Sequence, residues 1–202
     1  GEILHVRPGV PTLIRTVQTN PVIPGLDLQD YWLPIGKPLS PRELDGIEKW
    51  IIYKLGRLAY ACPHLKSHGD SKTGDVIVSV NAGELWSIRE VVADPIPYVR
   101  GGVLDRYRAF EIGDPYDPIL LDLTANRMKA SQAVINTSLS PDCKTQPPGL
   151  IRQTTLPGQP RLVTFGFGFD SENLFIVKGA WLNSRLTETA SLLASSLKAD
   201  EK

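Results

Sequence analysis

The chain has 202 residues, of which 42% are hydrophobic and 22% are charged, a balance that is typical of globular proteins. Lysine plus arginine and aspartate plus glutamate number 22 each, so the formal net charge is zero. This balance argues against a protein that coats nucleic acid or an anionic membrane surface, because both kinds of binding depend on an excess of basic side chains. The chain also lacks an apolar run of about 18 residues, the minimum for a membrane span.

The length predicts a single globular domain over residues 1–202, and we find no internal repeat by inspection of the sequence. The first nine residues, GEILHVRPG, lack the basic and apolar regions of a signal peptide. A cytoplasmic location is therefore the expectation. The two cysteines, Cys62 and Cys143, are too few for a disulfide framework, and we expect reduced thiols, although one bridge between them is an alternative.

The first forty residues predict two short strands followed by an extended segment. EILHVR and TLIRTVQ have strand composition, and PGVP separates them. Residues 20–41 contain five prolines, which excludes a regular helix or a central strand. This segment is predicted to be a strap across the body or an arm that docks on a partner. Because tryptophan and tyrosine are favoured interface anchors, we assign partner binding to four of its residues, Tyr31, Trp32, Leu33 and Ile35.

A long amphipathic helix is predicted over residues of about 40–62. Ser40 is a suitable N-cap, Pro41 occupies the first helical position, and Glu43 completes a capping box. Apolar residues then recur at spacings of three and four residues, which is the helical period. They are Leu44, Ile47, Ile51, Leu55 and Leu58, and Pro63 ends the pattern.

The stretch ACPHLKSHGD, residues 61–70, carries Cys62, His64 and His68 within seven positions. Thiolate and imidazole are the ligands that zinc prefers, so these three side chains are a candidate metal site, with Cys143 as a distant fourth ligand. The spacing between Cys62 and His64 is tighter than in zinc motifs. The simpler interpretation is a polar loop at the exit of the helix, with no cofactor bound.

Between residues 75 and 160 the patterns alternate between strand, helix and loop. DVIVSV, residues 75–80, predicts a strand, and ELWSIREVV, residues 84–92, also favours a strand because of its β-branched residues. Residues 119–135 predict a helix in their second half. Residues 136–160 contain five prolines and are predicted to be a loop.

The last forty residues predict a β-hairpin followed by a helix. Two apolar runs within residues 161–182 flank the turn DSEN. Phe165, Phe167 and Phe169 alternate and therefore share one face of the first strand, where they could stack on the bases of an RNA. They could equally form a core face. From about Asn183, leucines and alanines at helical spacing predict a C-terminal helix.

These patterns together predict an α+β fold with an antiparallel sheet, one long capped helix, a C-terminal hairpin and a C-terminal helix. No catalytic constellation is complete, which argues against an enzyme. The leading hypothesis is a binding or assembly module that contacts a protein partner, or copies of itself, through the segment 20–38 or an exposed sheet edge. A metal-dependent enzyme or zinc-stabilised domain centred on residues 62–70, and an RNA-contacting protein that uses the phenylalanines, are the alternatives.

Overall fold

The structure, a computed structural model, describes residues 9–29, 32–168 and 175–201. It confirms an α+β protein with few helices and several sheets. The elements follow in the order β1 (Thr16–Asn20), α1 (Pro41–Arg57), β2 (His64–Gly69), β3 (Asp75–Asn81), β4 (Glu90–Ala93), a 3-10 helix (Val103–Tyr107), α2 (Pro118–Ala130), β5 (Asn136–Pro141), β6 (Leu150–Leu156), β7 (Arg161–Gly168), β8 (Phe175–Asn183) and β9 (Leu193–Glu201).

The strands form three sheets of three strands, in the orders β1-β3-β2, β4-β6-β5 and β7-β8-β9. In the first two sheets the leading strand runs parallel to the central strand, and a tight hairpin supplies the antiparallel partner. The predicted antiparallel sheet is therefore correct for the third sheet, and the first two are mixed.

The chain divides into two compact units. The first comprises residues up to 87 together with 115–118, and the second comprises 88–114 and the residues from 119 onward. The single domain over residues 1–202 stays a prediction.

In the first unit, α1 covers one face of the first sheet. The hydroxyl of Ser40 accepts a hydrogen bond from the N–H of Glu43, which confirms the predicted cap, although the helix ends at Arg57, earlier than expected. The core combines side chains of α1 and β3, which recur at the helix and strand periods, with Ile14 and Leu33, which lie outside the helices and strands. The core residues are Ile14, Leu33, Ile47, Ile51, Leu55, Val76, Val78 and Val80.

The proline-rich segment of the first unit packs on this core as a strap. Ile23, Leu26, Leu28 and Leu39 lie against it, and Leu33 is only 9% exposed. Leu39 also sits directly over β2, because a methyl group added at Gly69 would lie 2.6 Å from Cδ1 of Leu39.

The backbone of the first sheet is repeated in the second, although no repeat was predicted. In both copies the N–H of an isoleucine donates to the carbonyl of the residue after a glycine, and the N–H of that glycine donates back to the isoleucine carbonyl. The N–H of the arginine that follows the isoleucine donates to the carbonyl of a second glycine, which immediately precedes the central strand. The N···O distances are 2.9, 2.8 and 2.9 Å in the first copy (Ile14 to Lys37, Gly36 to Ile14, Arg15 to Gly74) and 2.8, 2.7 and 2.8 Å in the second (Ile88 to Asp114, Gly113 to Ile88, Arg89 to Gly149).

The sequence carries the same repeat as three short motifs. They are Ile-Arg-x-Val at residues 14–17 and 88–91, Ile-Gly-x-Pro at 35–38 and 112–115, and Asp-x-Lys-Thr at 70–73 and 142–145. Both Gly36 and Gly113 have positive φ angles, 81° and 105°, which favour glycine. The motifs therefore specify turns and the starts of strands. They are hard to recognise in the sequence because they are short and because the number of residues between them differs in the two copies.

Four predicted elements are corrected by the structure. Residues 64–69, 136–141 and 150–156 are strands, not loops, and residues 193–201 form a strand, not a C-terminal helix. Leu193 and Leu197 misled the helix prediction, because residues four apart lie on the same side of a strand as well as of a helix. The strand EILHVR and the turn DSEN lie outside the described residues. The hairpin strands on either side of that turn are confirmed.

Candidate interaction surfaces

The Cys62–Asp70 stretch is an edge strand, not the helix exit that was the simpler prediction. His64, Lys66 and His68 alternate along β2 on its exposed face. His64 and His68 are four residues apart, so their backbones are separated by about 13 Å, whereas zinc needs each imidazole nitrogen at about 2 Å. In the described part of the chain, no group of three or more histidine, cysteine or acidic residues is placed to hold a metal ion. A zinc site is therefore not supported.

Neither cysteine is a free thiol. Cys62 and Cys143 are both disulfide-bonded, so the expectation of reduced thiols is wrong. A cysteine in a disulfide cannot supply the thiolate that the candidate zinc site required.

The outer edge of β2 is closed by a side chain of α1. The N–H of Asp70 donates to the carbonyl of Asp75, so position 70 faces β3. In an antiparallel ladder alternate residues face the partner strand, and the N–H and C=O groups of residues 65, 67 and 69 therefore face away from β3. The N–H and the hydroxyl of Ser67 both donate to Oε1 of Glu48, at 2.6 Å each. A carboxylate thus occupies the middle of the edge where another strand would pair.

The matching edge in the second unit lacks this closure. Asp142 N–H donates to the carbonyl of Leu150, so the groups of residues 137, 139 and 141 face away from β6. No described residue accepts a hydrogen bond from the N–H of Thr137 or Leu139. Pro141 has no N–H and therefore blunts only the end of this edge.

The predicted partner-binding residues separate into different environments. Trp32 is 68% exposed and Ile35 is also exposed, whereas Leu33 is buried in the core. Trp32 lines a shallow groove of about 170 Å³ together with Trp50 of α1. Tyr31 lies outside the described residues. Trp32 and Ile35 are thus exposed side chains, whereas Leu33 is part of the core.

The third sheet has one apolar face that is open to solvent. Phe165 and Phe167 are 72% and 74% exposed, so they are not core residues, and Phe169 lies outside the described residues. The register places further apolar or small side chains on the same face, namely Val163, Val177, Gly179, Trp181, Leu197 and Ala199. Arg161, at the start of β7, is the one lysine or arginine among the described residues of these strands that shares this face, so the face lacks the row of basic groups that tracks a nucleic-acid backbone.

Two aspartates in the repeated hairpins have lowered pKa values. Asp142 accepts a hydrogen bond from Arg152 at 2.8 Å and another from the N–H of Lys144, and these lower its pKa to about 2. A hydrogen bond from the hydroxyl of Thr16 is the largest cause that lowers the pKa of Asp75. Both carboxylates are therefore ionised acceptors that hold turns and strand ends, and neither has the raised pKa of a general acid.

Sequence reasoning missed the β5 edge, the third strand of the last sheet and a buried arginine, Arg185. The paired Asp-x-Lys-Thr motifs could have revealed the second hairpin.

Neither helix in the described part of the chain has the length and apolarity needed to cross a membrane.

Comparison with known proteins finds similarity only at the level of structure. No family model matches the chain, and no curated protein matches its sequence. The fold is similar to that of BamA from Haemophilus ducreyi lacking POTRA domains 1–3, with a TM-score of 0.64 and 16% identity over 82% of this chain and 32% of that one. It is also similar to POTRA domains 3–5 of BamA from Haemophilus influenzae, with a TM-score of 0.55 and 16% identity over 75% of this chain and 63% of that one.

These identities are too low to carry more than the fold. The chain spans about a third of the length of the first structure and less than two thirds of the second.

Proposed function

We propose that this chain is a protein-binding module that adds an extended segment of its partner as a fourth strand at the β5 edge. The observation that carries the proposal is the edge N–H of Leu139, a partly exposed residue, which has no acceptor among the described residues. The N–H of Thr137 also lacks an acceptor there, but Thr137 is only 4% exposed, so a partner strand reaches it only if its cover moves. An exposed strand edge is a template for another strand, since main-chain hydrogen bonds supply affinity without a particular sequence.

The β2 edge is less suited to this role. A partner strand there would have to displace Glu48 from the N–H and hydroxyl of Ser67. Hydrogen bonds to a carboxylate are about twice as strong as neutral ones, so displacement costs part of the gain. At the β5 edge Pro141 limits pairing at one end of the strand and the burial of Thr137 limits it at the other, so Leu139 is the accessible position.

Two further surfaces are proposed as secondary contacts. Trp32 and Ile35 on the strap are exposed apolar anchors, which favours contact with a protein partner. The Phe165 and Phe167 face fits an apolar surface, of a partner or a second copy, better than RNA, because most of its neighbours are apolar and only Arg161, at one end, is basic. Unchanged binding of single-stranded RNA by a Phe165→Ala, Phe167→Ala double variant would remove the RNA alternative.

We also propose that the protein works in an oxidising compartment such as a periplasm. The support is the disulfide state of both cysteines, because disulfides are rare in the reducing cytosol. Alkylation of the native protein with iodoacetamide, taken directly from cells, tests this. Unmodified cysteines are expected, and full alkylation of Cys62 and Cys143 before any reductant is added would contradict it.

Amide hydrogen exchange by NMR tests strand addition. The ligand is an acetylated, amidated hexapeptide of alternating valine and threonine, and the control is the same peptide with its two central residues replaced by proline. Binding should slow exchange of the Thr137 and Leu139 amides by at least about tenfold, while the Ser67 amide changes less. Residues 136, 138 and 140 donate to β6 and should be protected with or without peptide.

A matched pair of variants separates the edge from the ladder. Leu139→Pro removes an N–H that faces away from β6, so it should abolish peptide binding at a modest cost in stability. Ser138→Pro removes a ladder hydrogen bond and should destabilise the second unit far more. Peptide binding that survives Leu139→Pro, or that protects Ser67 instead, would contradict the assignment to β5.

A further inference from the structure

A buried arginine in the second unit has no acidic partner. Arg185 follows β8 and is 9% exposed. Nη1 donates to the carbonyl of Pro97 at 3.4 Å and Nη2 donates to the carbonyl of Gly158, but Nε has no hydrogen-bond partner. No aspartate or glutamate in the described ranges forms an ion pair with Arg185.

This arrangement is costly unless something completes it. A buried charge is normally paired, because its desolvation is otherwise uncompensated. The two carbonyl groups satisfy part of the guanidinium's donor capacity but none of its charge. A negatively charged group beside the guanidinium would supply the missing charge.

Arg185 lines a cavity of about 620 Å³ that could receive such an acceptor. Besides Arg185, its charged residues are Arg161 and Glu188, so the lining has a net charge of +1. Asn183, which is buried, and Tyr98 add polar and aromatic surface. One monoanion neutralises this set, whereas a phosphate dianion would leave it with a net charge of −1.

We propose that this cavity binds a carboxylate group, with the guanidinium of Arg185 as the inner cation and Arg161 as the outer cation. The carboxylate could belong to the C-terminus of a polypeptide or to an aspartate or glutamate side chain, because both present the same group. No residue of β5 lines the cavity, and the proposal does not depend on strand addition.

The test uses NMR of the full chain, observing the arginine Nε–H resonances. The ligand is acetyl-triglycine with a free carboxylate, and the control is the same tripeptide as its amide. The acid should shift the Arg185 resonance saturably, with an affinity at least about tenfold above that of the amide. An amidated tripeptide with one central glutamate distinguishes a side-chain carboxylate from a C-terminal one, and binding of either supports the proposal.

Variants keep the test decisive if Arg185 is needed for folding. Arg161→Gln changes an exposed residue and should weaken binding of the acid about twofold to fivefold. Arg89→Gln, an exposed arginine of the same unit outside the cavity lining, should leave it unchanged. Leu139→Pro should also leave it unchanged, so failure of the edge proposal is distinguishable from failure of this one.

Three results would overturn the proposal. They are equal shifts with the acid and the amide, no shift of Arg185 with any carboxylate, and saturation by inorganic phosphate at lower concentrations than by the acid.

Discussion

The two repeated sheets share a backbone and differ at the edge that faces solvent. In the first, Glu48 of α1 reaches over to the N–H and hydroxyl of Ser67. In the second, Ala125 stands at the helix position that corresponds to Glu48, counted from Pro41 and Pro118, and Leu139 stands at the strand position of Ser67. Equivalent edges can therefore be closed in one copy and open in the other without any change in topology.

This comparison teaches which features a repeat must keep. Turns and strand entries need glycines at positive φ and hydrogen-bonding aspartates, so these recur in both copies. Edge side chains contact solvent or partners, so they are free to diverge. The predictions below test how far the equivalence extends, beginning with the largest expected effect.

Equivalent core positions should carry similar stability. Ile51 and Met128 occupy the same place in α1 and α2, and both are fully buried. Ile51→Ala and Met128→Ala should each lower the free energy of unfolding of their own unit by about 2–5 kcal/mol, since each leaves a cavity. Chemical denaturation, with hydrogen exchange to localise the loss, measures this. Ile52→Ala, at an exposed neighbour, should cost much less, and equal losses at 51 and 52 would contradict the packing.

Glycines of the repeat should differ according to what lies beside them. Gly74 has a φ of 81°, and a Cβ there would overlap the carbonyl oxygen of Leu13. Gly36 also has a φ of 81°, but a Cβ there would meet nothing. Gly74→Ala should therefore cost about 2–4 kcal/mol and Gly36→Ala about 1 kcal/mol. Thermal unfolding of the two variants compares them, and a larger effect at Gly36 would be the contrary result.

Removal of the carboxylate at β2 should make the two edges more alike. Glu48→Ala deletes the acceptor for two hydrogen bonds and should cost about 1–3 kcal/mol. The Ser67 amide should exchange faster, and the alternating hexapeptide should then protect it. Glu48→Gln keeps a neutral acceptor and should show a weaker form of both changes. A Ser67 amide that exchanges at the wild-type rate in Glu48→Ala would show that the edge is not closed by Glu48.

The smallest effect concerns the second hairpin at acid pH. Since the pKa of Asp142 is lowered from 3.8 to about 2 in the folded state, its contribution to stability is complete above about pH 4 and is lost as the pH falls towards 2. The Asp142 carboxyl resonance in NMR should titrate near pH 2. In Arg152→Gln the midpoint should rise towards 3.8. An unchanged midpoint would show that Arg152 is not the principal cause.

The sequence predicted well those elements whose signals are local. The capped helix at Ser40 and the apolar alternation of β3 needed only neighbouring residues. The polar strands β2, β5 and β6 were missed, because each gains its hydrogen bonds from a hairpin partner and its burial from a helix distant in sequence. The cysteine and histidine cluster attracted a zinc hypothesis for the same reason. The spacing of the cysteine and histidines can be read from neighbouring residues. The pairing of β2 with β3, which extends the chain and keeps His64 and His68 far apart, cannot.

The candidate sites were predicted less completely than the fold. The preference for an exposed sheet edge came from general patterning, but which edge is open depends on Glu48, Ser67 and their counterparts across the repeat. Arg185 gave no signal at all, because its burial depends on the carbonyl groups of Pro97 and Gly158.

The fit of Leu39 over Gly69 has a consequence for how the first sheet chooses its alignment. A Cβ at position 69 would lie 2.6 Å from Cδ1 of Leu39, so any side chain there requires Leu39 to move. If β2 slipped by one position against β3, His68 or Asp70 would arrive under the strap and collide with it, while the apolar and polar faces of the strand exchanged sides. Leu39 of the strap thus favours the alignment that places the glycine beneath it over either alignment slipped by one residue.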